Sequence, residues 1–76
     1  MKDKIVKELM MILLKSTIDE PITFRVSNGE ITIDAGSILF VVKYSDTETI
    51  KDIVDTYKKN RSILKTIEKI VYEIRK

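Results

Sequence analysis

Residues 22–35 carry the strongest constraint on what this chain can fold into. Asn28-Gly29 is the preferred pair for a two-residue type I′ hairpin turn, because both central positions need a positive φ and these two residues adopt it at least cost. With that turn in place the register follows. Ser27 faces Glu30, Val26 faces Ile31, Arg25 faces Thr32, Phe24 faces Ile33, Thr23 faces Asp34 and Ile22 faces Ala35. Every apolar pair then falls on one side of the hairpin, so one face is core and the other polar.

The remaining elements follow from apolar periodicity. Residues 3–16 form a helix with Ile5, Val6, Leu9, Met10, Ile12 and Leu13 in one arc and Lys4, Lys7, Glu8 and Lys15 opposite. Met11 sits inside the charged arc and Leu14 at its edge. Pro21, after the acidic Asp19-Glu20, blocks helix continuation, since the residue before a proline is pushed toward extended geometry. A second turn at Asp34-Ala35-Gly36 leads into a third strand, 37–44, with Ile38, Phe40 and Val42 on one face and Leu39, Val41 and Lys43 on the other. Ser45 and Glu48 have the spacing of a capping box for a second helix, whose inward stripe is Ile50, Ile53, Val54 and Tyr57. Asn60 ends it, and a third helix runs from Arg61 with Ile63, Leu64, Ile67, Ile70, Val71 and Ile74 inward. The expected fold class is α+β: a single domain over 1–76, order α-β-β-β-α-α, built as a three-stranded antiparallel meander with helices on one face.

Composition excludes several functions. With no His and no Cys, the usual general bases, nucleophiles and soft metal ligands are absent. Glu48, Asp52 and Asp55 share a helix face but are interleaved with Lys51, Lys58 and Lys59, the pattern of a solvated face with ion pairs. Neither Gly29 nor Gly36 belongs to a phosphate-cradling loop. A non-enzymatic protein without cofactor or metal is expected. Six apolar residues at 9–14, directly after Glu8, are too short a run for secretion or membrane spanning, and the lack of cysteine suits a reducing compartment, so the expected location is the cytoplasm of a cell or of an infected host.

Binding surfaces remain. The net charge of +2 is uneven, and the two terminal segments are the basic ones. Arg61, Lys65, Lys69 and Lys76 around Tyr72 form a candidate partner-binding set on the last helix, since cations beside an aromatic ring suit a protein interface or phosphates and bases. Met11, Leu39 and Val41 form a candidate self-association set, because exposed apolar surface on a small domain invites a homodimer.

The order α-β-β-β-α over 3–58 resembles the double-stranded RNA-binding domain, but its binding elements are missing: the first strand loop is only Asn28-Gly29, and the next helix opens with Asp46, Glu48 and Asp52 where that family places lysines. The full order α-β-β-β-α-α is similar to that of a small anti-CRISPR inhibitor class from phages. That resemblance implies a regulator or inhibitor, carried by a phage or mobile element, that docks on a protein partner. The alternative expectation is sequence-independent nucleic-acid binding through the basic last helix.

Overall fold

The computed structural model describes residues 2–75, and side chains over residues 4–74. Its elements are α1 (Lys2–Asp19), β1 (Thr23–Ser27), β2 (Glu30–Ala35), β3 (Ile38–Lys43), α2 (Thr47–Asn60) and α3 (Ile63–Arg75). The strands form one antiparallel sheet in the order β1-β2-β3. This is the expected α+β architecture, and β1 and β2 pair in the register set by the turn, from Ser27 opposite Glu30 to Thr23 opposite Asp34. Asn28 and Gly29 take φ of 52° and 74°, as a type I′ turn requires.

The second hairpin closes one residue later than expected. Asp34 and Ala35 belong to β2, Ala35 pairs with Ile38, and the loop is Gly36-Ser37. Gly36, at φ 77° in the first loop position, supplies the positive dihedral of a type II′ turn.

α1 lies nearest β1 and α3 nearest β2 and β3, while α2 packs along both other helices. Between the helices and the sheet sits one core built on Leu9, Leu13, Ile31, Ile33, Ile50, Ile53, Ile63 and Ile67, all fully buried. The inward faces of β2 and β3 are buried except at Ile38, which is half-buried. Val26, one residue from the hairpin tip, keeps the inward register but is 42% exposed, because the helical layer does not reach that end of β1.

Three helix ends depart from expectation. α1 continues through Asp19, three residues or just under one turn beyond a boundary at 16, and so carries Ile18 on helix. The cap of α2 is Asp46, not Ser45. The Asp46 carboxylate accepts from the Thr49 backbone N–H at 3.1 Å and from the Thr49 hydroxyl at 2.7 Å, and a carboxylate is the stronger acceptor at a helix N-terminus. These two bonds hold the exposed Asp46 carboxyl below its ordinary range. Arg61 is not on α3. It takes a left-handed φ of 57° and ends α2, donating its N–H to the Tyr57 carbonyl.

Candidate functional site

The basic helix is positioned by a clamp that joins distant parts of the chain. Ser62 precedes α3, and its hydroxyl accepts from the Lys65 N–H at 3.2 Å while donating to the Glu20 carboxylate at 2.6 Å. Glu20 also accepts from the N–H groups of Ile63, at 2.8 Å, and Leu64, at 3.3 Å. The first three N–H groups of α3, which no helix can satisfy internally, therefore all have partners, two of them from the α1–β1 loop. Partial burial pushes the Glu20 carboxyl up, but the bonds from Ser62, Ile63 and Leu64 together outweigh it and hold the group below its ordinary value.

On α3 so anchored, Lys65, Lys69 and Tyr72 are exposed. Arg61 sits apart at the α2–α3 link, and Lys76 lies outside the described residues. The basic cluster is thereby reduced, since exposed Glu68 and Glu73 on the same helix match Lys65 and Lys69 charge for charge. Ile74, expected inward, is exposed because the last turn of α3 runs past the core. Among the described residues no three acidic side chains gather closely enough to hold a metal ion, and no helix is long and apolar enough to cross a membrane.

The larger apolar exposure lies on α1. Met11, Leu14 and Ile18 are three and four residues apart, hence on one face, and are 71%, 58% and 86% exposed. The core side of the same helix is held by Leu9 and Leu13. Exposed Lys4, Lys7 and Lys15 border this stripe. Sequence periodicity places Met11 in the charged arc and Leu14 at its edge, and Ile18 falls on the stripe only when the helix runs through residue 18. Glu8 on α1 pairs with Lys58 of α2 at 3.0 Å, tying the helix down beside its exposed face.

Leu39 and Val41 form a second exposed pair, on the open face of the sheet. Helices cover only the other face, and Met11 points away from the sheet, so Met11 and the Leu39–Val41 pair are two separate surfaces and not one self-association site.

The fold and these surfaces define a small α+β domain with exposed apolar faces. No family model, curated protein or solved structure matches the chain.

Proposed function

We propose that this protein is a non-enzymatic binding module, a regulator or inhibitor that acts by docking on a protein partner. The observation that carries this reading is the Met11-Leu14-Ile18 stripe: three large apolar side chains exposed on a helix whose opposite side is anchored in the core. Water contact at such a stripe costs free energy that a partner surface recovers, and a flexible Met beside branched side chains fits an adaptable interface. The bordering lysines favour a partner with acidic groups around an apolar centre. The element order shared with small phage inhibitors agrees with this role.

Nucleic-acid binding through α3 is the weaker reading, because two carboxylates offset its two central lysines. A fluorescence-anisotropy titration of labelled duplex and single-stranded DNA and RNA, at low and near-physiological salt, separates the two. The proposal expects no binding even at low salt. Binding that weakens steeply with salt and disappears in a Lys65→Glu, Lys69→Glu variant overturns it, since phosphate contacts release counterions whereas apolar contacts do not.

A further inference from the structure

The two edges of the sheet are not equivalent. β1 starts just after Pro21 and carries Arg25 at its centre, both of which discourage a further strand. β3 has neither proline nor charge between Ile38 and Val42, and only Lys43 at its end. Its unpaired backbone groups can be assigned. The two-residue loop makes Ala35–Ile38 a hydrogen-bonded pair, and in an antiparallel ladder such pairs alternate, so Ile38, Phe40 and Val42 bond β2. The N–H of Tyr44 donating to the Gly29 carbonyl continues the same alternation. The groups aimed outward are those of Leu39, Val41 and Lys43, of which the Lys43 carbonyl already accepts from the Asp46 N–H.

The residues with unsatisfied backbone edges are thus also those with exposed side chains, Leu39 at 67% and Val41 at 48%. Beneath the edge, between β3 and α3, an open groove of about 360 Å³ is lined by apolar Ile38, Phe40, Val71 and Ile74. We propose that the β3 edge pairs antiparallel with β3 of a second copy of this chain, about a two-fold axis at Val41, to form a continuous six-stranded sheet with the two α3 helices side by side beneath it.

Charge and register favour a second copy as the occupant. A two-fold axis at Val41 puts Lys43 opposite the partner's Leu39 and in one row with the partner's Asp34, which faces that Leu39 within its own sheet. No like charges then meet, and the lysine stem covers the leucine on its way to the carboxylate. About four backbone hydrogen bonds form without using the Lys43 carbonyl. The α1 stripe plays no part, so this inference and the proposed function can fail separately.

Sedimentation equilibrium of the full chain tests it, with circular dichroism as the check on folding. The wild type is expected at twice the chain mass, falling to the single-chain mass on dilution. Val41→Pro removes an outward N–H at an edge position that tolerates proline, and should be a folded monomer. If Val41→Pro fails to fold, a Leu39→Lys and Leu39→Glu pair decides. Both lose the same apolar contact, but lysine meets Lys43 of the second copy while glutamate pairs with it, so the lysine variant should dissociate about tenfold more readily. A wild type that stays at the single-chain mass up to about millimolar concentration overturns the inference. So does a dimer that persists in folded Val41→Pro, or Leu39 variants that dissociate alike.

Discussion

Glu20 is where a single side chain does most for the tertiary structure. It is one carboxylate, yet it satisfies two backbone N–H groups and a serine hydroxyl at the start of α3. Replacing it with Ala should lower stability by about 1–2 kcal/mol, the scale of charge-assisted bonds that are partly open to water, measurable by urea denaturation. Its pH dependence has a definite sign. Because the folded-state value is depressed, the contribution is fully present above the unfolded value of about 4.3 and is lost as pH falls through the lowered folded value. The wild type should therefore lose stability in that acid window more steeply than Glu20→Gln. Ser16 is the opposite case, its hydroxyl buried without a hydrogen-bond partner. Ser16→Ala removes an unsatisfied polar atom and should leave stability unchanged or raise it by up to about 1 kcal/mol, seen as a higher Tm.

At the scale of elements, the sheet separates residues that build the core from residues that are free to bind. Ile33 is fully buried on the central strand, whereas Leu39 is on the open face one strand away. Ile33→Ala should cost about 2–5 kcal/mol and Leu39→Ala less than about 0.5 kcal/mol in the same denaturation assay at a protein concentration low enough to hold single chains, an asymmetry that follows from cavity formation at one site only. Both hairpin faces were legible in the sequence because Asn28-Gly29 dictates register locally and a one-residue slip would expose every inward side chain. Helix ends were less legible. Ser45 and Asp46 both stand three residues before a usable partner, and spacing alone cannot rank them. Arg61 takes the left-handed C-cap position that glycine or asparagine usually marks, so its residue type gave no signal, and Glu20 reaching Ser62 is a tertiary contact between segments about 40 residues apart, for which the chain has no local signal. The exposed stripe was half legible: Ile18 joins it only through the last turn of α1, which the Glu20 N–H closes by donating to the Ser16 carbonyl, past the boundary that periodicity implies.

For the whole molecule, size sets the terms. A chain of 76 residues buries roughly 60% of the surface its unfolded form exposes, so its stability margin is thin. Association at β3 adds stability by mass action, and the Tm should rise with protein concentration in the wild type but not in Val41→Pro. Docking through α1 is a separate matter, and it leaves the fold untouched. Met11→Glu, Leu14→Lys and Ile18→Lys together alter only exposed positions, and the variant should unfold within about 1 kcal/mol of the wild type. The most direct measurement is quantitative affinity capture from a nuclease-treated lysate of the source cell, with wild type and this triple variant side by side. Docking through α1 predicts a protein retained by the wild type and lost from the equally folded variant. Identical retention by both, or retention that vanishes once nucleic acid is digested, contradicts it.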